Sequence, residues 1–143
     1  MISDQEGLPL VVLTTPANVP DQVPFLNMLD SMPPVKMPMG RPRYKPAAAM
    51  GDRAYGTAEV IAAVAQRRIE SLLAPRNEKE HGSGLGKVRF VIERTMSWLG
   101  NYRRLKMCYE RTGEHWQAMN ELAACVICAN RIQSLNPQGK IAA

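Results

Sequence analysis

At 143 residues, 45% of them apolar, the chain has the length of one ordinary domain and enough apolar side chains to bury a core. Three unevenly spaced cysteines cannot build a disulfide framework, MISDQEGLPL has no basic stretch followed by an apolar one, and no apolar run approaches the ~18 residues that cross a bilayer. A secreted disulfide scaffold and a membrane span are thereby excluded, a cytoplasmic protein is expected, and the formal charge of +5 suits a polyanionic partner as well as an ordinary solvated basic face.

LPLVVLTT, residues 8–15, is short, rich in β-branched residues and bounded by QEG and PANVP, which predicts a strand. DQVPFLNMLDSM places Val23, Phe25, Leu26, Met28 and Leu29 near helical spacing; Pro24 is compatible with a helix only in its first turn. Residues 33–46 are proline-rich and without periodicity, a surface loop. AAAMG then returns to the interior as a strand with Asp52 at its C-terminal end.

Thr57 is placed to cap the next helix, on which Val60, Ile61, Val64, Ile69 and Leu72 share roughly one face. SLLAP predicts another short strand, and the polar, glycine-rich RNEKEHGSGLG a loop. From Lys87 the pattern is helical: Val88, Val91, Ile92, Thr95, Trp98, Leu99, Tyr102 and Leu105 form one apolar stripe, with Glu93 off it. A last helix from about Glu114 to Gln133 is expected to bury Met119, Leu122, Val126 and Ile127, and NPQGKIAA, residues 136–143, to be a frayed tail.

Asp52 ends an apolar strand, where α/β folds build their sites. Glu93 lies on a helix whose polar side also carries Arg89 and, in one continuous helix, Arg104. Should that helix pack beside the Asp52 strand, two carboxylates converge across a cleft rimmed by guanidinium groups. Hard divalent cations take such an oxygen-rich, incompletely filled site, and two of them can serve phosphoryl transfer. Spacing alone equally fits a turn-forming aspartate and a solvated Glu–Arg pair worth ~0–1 kcal/mol.

LPLVVLTTPANVPDQ, GDRAYGT and above all RFVIERTMSWLGNYRRLKMCYER together resemble the C-terminal portion of bacterial insertion-sequence transposases of the DDE type, the insertion-sequence-five and -four kind. The resemblance runs from about Gly7 to Arg131. It implies an α/β chain with a truncated ribonuclease-H-like fold, a mixed sheet flanked by helices with further C-terminal helices. Residues 1–135 would form part of the catalytic domain. Asp52 would be the second catalytic carboxylate and Glu93 the third, both holding Mg²⁺ or Mn²⁺. DNA, as transposon ends and target, would be the substrate, with Arg89, Arg103, Arg104 and Lys106 on backbone phosphates.

The resemblance also brings two departures. Its Tyr, Arg, Glu, Lys/Arg spacing is met only at Arg89 and Glu93, since Gly86 and Gly100 stand at the outer places. Its first aspartate belongs on a strand before LPLVVLT, and Asp4, expected in a hairpin, does not take that role. The implied function is metal-dependent DNA cleavage and strand transfer in transposition. The alternatives are an inactive remnant that binds DNA or inhibits a full-length transposase, and the second of two frameshifted reading frames whose partner is the upstream-frame chain.

Other patterns have plainer accounts. Cys125 and Cys128 form C-x-x-C inside an apolar helix without the four ligands of a zinc site, which predicts buried packing. GSGLGK lacks the spacing of a phosphate loop. Trp98 and Tyr102 fall on the apolar stripe and are expected in the core.

Overall fold

The computed structural model describes residues 1–75 and 85–135, with side chains from residue 90 in the second stretch. The chain opens with an antiparallel hairpin of β1 (Ile2–Ser3) and β2 (Pro9–Val11). Asp4 makes the turn: its Oδ1 accepts from the Glu6 amide at 2.9 Å and the Leu8 amide at 2.8 Å, as a short carboxylate does in a tight turn. Gly7 closes it at φ +84°, a left-handed conformation that glycine adopts without a Cβ penalty.

Helix α1 (Gln22–Asp30) carries Pro24 in its first turn, where amides lack intrahelical partners and the missing N–H costs nothing. Phe25, Met28 and Leu29 are buried at steps of three and four, so one helix face meets the core. Strand β3 (Ala48–Ala49) then pairs in parallel with β4 (Glu70–Ser71) through the crossover helix α2 (Ala58–Gln66). Thr57 caps α2 as expected, its Oγ1 accepting from the Val60 amide at 3.3 Å. Phe25, Leu29, Ala49, Val60, Val64, Ile69 and Leu73 make the first core cluster, and Val64 is wholly buried.

Helix α3 (Leu85–Gly100) does not continue into Tyr102 and Leu105 as the periodicity suggested. Gly100, a weak helix former, is its last residue, and the chain turns at Asn101 before the short α4 (Arg103–Lys106). Tyr102 and Leu105 still reach an apolar environment, packing with Trp98 and Met1 on the second cluster, Leu99, Ala123 and Ile127. The last two belong to α5 (Gly113–Leu135).

Two expectations for α5 are corrected. Its buried residues are Ala123, Ala124 and Ile127, whereas Leu122 is 58% and Val126 38% exposed, because the helix turns its small side chains toward α3. Cys125 is likewise exposed, and Cys128 is half-buried. The expected tail, residues 136–143, and most of the expected loop, 76–84, lie outside the described residues.

Mixed α/β is the observed class, but among the described residues the strands form two separate two-stranded sheets, not one mixed sheet. No strand among the described residues joins the two sheets. The outer edge of β2 is instead met by α5. Just past the end of β2, the Gln117 carboxamide acts as a detached peptide group: its Oε1 accepts from the Thr14 amide at 2.7 Å and its Nε2 donates to the Val12 carbonyl at 2.7 Å. Such satisfaction of an open strand edge removes a template for unwanted pairing.

Candidate functional site

Asp52 follows β3 after Met50 and Gly51, at the C-terminal end of a buried-side strand. It caps a single 3-10 turn, Arg53–Tyr55, with its Oδ1 accepting from the Arg53 amide at 2.6 Å. The carboxylate is exposed. The loop beneath it is fixed from both sides. The Tyr55 ring sits 4.9 Å from Phe25 of α1, tilted by 47°, and a Cβ on Gly51 would come within 3.1 Å of Leu73 and 3.2 Å of Tyr55. A larger residue at 51 would push Tyr55 off Phe25 and move Asp52 with it. Partial burial, then the Asp21 and Asp52 carboxylates, push the Tyr55 phenol above its ordinary value.

Glu93 is exposed on α3. The two residues after it hold that helix in place. Arg94 Nη2 donates to the Glu6 carbonyl at 2.5 Å, while its guanidinium lies 5.6 Å from the Phe90 ring and 5.2 Å from the Trp98 ring. Thr95, fully buried, donates from Oγ1 to the Gly7 carbonyl at 2.7 Å. The hairpin approaches α3 this closely because residue 7 has no side chain: a Cβ there would sit 2.8 Å from Thr95 Oγ1. Glu93 is thus presented outward by its neighbours' inward contacts, since successive helical residues point about 100° apart.

Arg103, Arg104 and Lys106 are exposed on α4, which departs from the axis of α3, so Arg104 does not extend the Glu93 face as a continuous helix would have it. Arg103 and Arg104 line an open concavity with Tyr109. Arg104 is also paired, its Nη2 3.0 Å from a carboxylate oxygen of Glu110, whose side chain is only 9% exposed. Arg89 lies in α3, and its side chain is outside the described residues.

The structure thus places Asp52 on the β3–β4 unit and Glu93 on α3, and it groups Arg103 with Arg104. Among the described residues no group of three or more His, Cys, Asp or Glu side chains is placed to hold a metal. A larger groove of about 610 Å³ runs between β2, the end of α1 and α5, and neither carboxylate lines it. Its walls are mainly apolar.

The Arg94–Glu6, Arg104–Glu110 and Gln117–β2 contacts were not foreseen. They join residues distant in sequence or across a chain reversal, and no local periodicity marks them. Only Arg94 and Thr95 had a signal, as the residues that follow Glu93 in the ERT stretch.

Comparison with known proteins bears on this arrangement. A family described as the transposase DDE domain matches residues 1–130. The chain belongs to that family. It is 38% identical over 133 residues to the putative transposase for insertion sequence element IS402 of Burkholderia cepacia. That match takes in 93% of this chain and 63% of the relative, so the transposase-family chain spans less than two thirds of the relative's length. No solved structure matches it significantly. Among the described residues no helix is long and apolar enough to cross a membrane.

Proposed function

We propose that this transposase-family chain carries two of the carboxylates of a metal-dependent DNA phosphoryl-transfer site, Asp52 and Glu93, in the transposition of an insertion sequence. The observation that carries the proposal is the placement of Asp52: an exposed carboxylate held at a strand end by a loop braced on Phe25 and Leu73, within residues matched by the family. Its chemistry suits a hard divalent ion, Mg²⁺ or Mn²⁺, because carboxylate oxygens are the preferred donors and an exposed site leaves positions for water and phosphate. When bound, such an ion supplies Lewis acidity at the phosphodiester.

The chain's own residues have separable tasks in this proposal. Asp52 and Glu93 supply anionic oxygen. Arg94 and Thr95 fix the height of α3 against the hairpin. Arg103, Arg104 and Lys106, with Arg89, meet the DNA backbone, where guanidinium and ammonium groups neutralise phosphates without reading sequence.

A second reading rests on the exposed Arg103 and Arg104 beside Tyr109, a basic surface that can meet DNA without any metal. In it, the chain binds DNA or a longer transposase without cleaving. A cleavage assay on DNA bearing the element's ends separates the two. The first reading expects divalent-dependent cleavage that Asp52→Asn and Glu93→Gln each abolish while salt-sensitive DNA binding persists. Cleavage that survives either substitution overturns it, and binding without cleavage by the unsubstituted chain selects the second.

A further inference from the structure

Two parts of the chain build a second basic surface, at the end of the β3–β4 pair away from Asp52. Residues 31–51 contain Lys36, Arg41, Arg43 and Lys45 and no aspartate or glutamate. This stretch is folded back on itself: Val35 and Arg43 exchange backbone hydrogen bonds at 2.8 and 2.9 Å, and Gly40, at φ +94°, lies in the bend between them. All four cations are exposed, and none has an ion pair among the described residues.

The other part is the turn that ends α2. Ala48 of β3 stands opposite Glu70 of β4 in parallel register, so Lys45 and Arg67, each three residues earlier, enter the pair from the same end. Asp52 follows β3 at the other end. Arg67 is engaged by Asp30, whose carboxyl also feels the charge of Lys45, so the two parts are neighbours. Asp30 and Glu70 border this surface, against the cations Lys36, Arg41, Arg43, Lys45, Arg67 and Arg68.

The hydrogen bonding at Arg68 points to a ligand. Arg68 is exposed and sits at φ +58°. Its amide donates to the Ala65 carbonyl at 2.8 Å, and the Ile69 amide donates to the Val64 carbonyl at 3.4 Å. That pair of bonds closes a helix whose next residue is left-handed, a place glycine ordinarily fills because a Cβ is costly there. What arginine adds over glycine is a guanidinium in solvent.

We propose that this end of the β3–β4 unit is a binding site for the backbone of duplex DNA, separate from α4, which anchors DNA flanking the phosphodiester presented to Asp52. The proposal rests on the DNA reading above and adds a second contact surface to it. Lying at the opposite end of the strand pair from Asp52, these cations hold DNA and take no part in the chemistry. They neutralise phosphates, so they bind without reading sequence and release counterions. An anionic membrane would attract the same charges, but the exposed apolar residues of this stretch, Met39 and Tyr44, do not make the continuous apolar helix face that enters a bilayer interface.

The test is fluorescence anisotropy of a labelled random-sequence duplex, without divalent metal, at several salt concentrations. Lys36→Gln, Arg41→Gln, Arg43→Gln and Lys45→Gln together should weaken binding at least ~10-fold at low salt and lower the slope of log affinity against log salt by about 3–4. The same loss should appear in a chain already carrying Arg103→Gln and Arg104→Gln. Arg68→Gly should lower the slope by about 1 and raise the thermal unfolding midpoint, since glycine suits the left-handed backbone better. Affinity and slope unmoved by the four glutamines overturn the proposal and leave the DNA on α4 alone. Tighter binding to phosphatidylserine vesicles than to the duplex also overturns it. So does an Arg68→Gly chain that keeps its affinity, or one that unfolds at a lower temperature, as it would if the guanidinium served the helix end. Arg68→Gly keeps the test decisive should the fourfold variant fold poorly. Neither carboxylate is changed and no cleavage is read, so failure here is distinct from failure of the metal site.

Discussion

The Thr95 hydroxyl donates to the Gly7 carbonyl at 2.7 Å, joining residues 88 apart in sequence, at a place where a Cβ on Gly7 would lie 2.8 Å from that same oxygen. This contact ties the N-terminal hairpin to α3 two residues after Glu93. Gly7→Ala combines a left-handed backbone with a clash and should cost about 2–3 kcal/mol in urea unfolding. Thr95→Val should cost about 1–3 kcal/mol, because the buried Gly7 carbonyl loses its donor. Thr95→Ser keeps the hydroxyl and should be the milder change. Equal stability of the valine variant and the unsubstituted chain would show that the contact does not hold α3.

Acid should weaken the link between α1 and the end of α2. Arg67 donates to both Asp30 oxygens, at 2.9 Å from Nε and 2.7 Å from Nη2. The hydrogen bonds from Arg67 hold the Asp30 carboxyl below its ordinary 3.8, with a smaller contribution from the charge of Arg67. A carboxyl depressed in the folded state adds stability at pH above its unfolded value and loses it as the pH falls through the folded one. Stability should therefore decline below about pH 4. Asp30→Asn should flatten this part of the pH profile; the effect is small because the pair is solvent-accessible.

DNA affinity should answer to Glu110 as well as to the arginines. Arg104 is held by the Glu110 carboxylate at 3.0 Å. Glu110→Gln should release it and raise affinity at low salt. Neutralising Arg103 and Arg104 together should weaken binding uniformly across sequences and reduce the slope of log affinity against log salt by about 2. Fluorescence anisotropy at several salt concentrations measures both. A slope unchanged by the double substitution would move the DNA surface away from α4.

Much of the local structure was legible because it rests on short-range rules. Thr57 announced a helix start, Pro24 fitted only a first turn, and Asp4 lies in the expected hairpin. Asp52 could be placed at a strand end because an apolar run stopped there. Helix α5 misled for a physical reason: with apolar residues on both sides, periodicity identified a helix but could not say which side is buried. The pattern on α3 ran past its true end because Tyr102 and Leu105 pack on the same cluster from a different helix. How the N-terminal hairpin meets α3 and α5 depends on Arg94, Thr95 and Gln117, whose partners there lie far away in sequence.

Asp52 and Glu93 acting on one metal site is the central claim, and paramagnetic broadening by Mn²⁺ in a nuclear magnetic resonance titration tests it most directly. Two carboxylates leave most of the coordination sphere to water, so binding should be weak. The amides of residues 51–54 and 92–95 should broaden together along a single binding curve, and either Asp52→Asn or Glu93→Gln should diminish the broadening of both segments. Broadening that each substitution removes only from its own segment would mean two independent surface carboxylates, and would contradict the shared site.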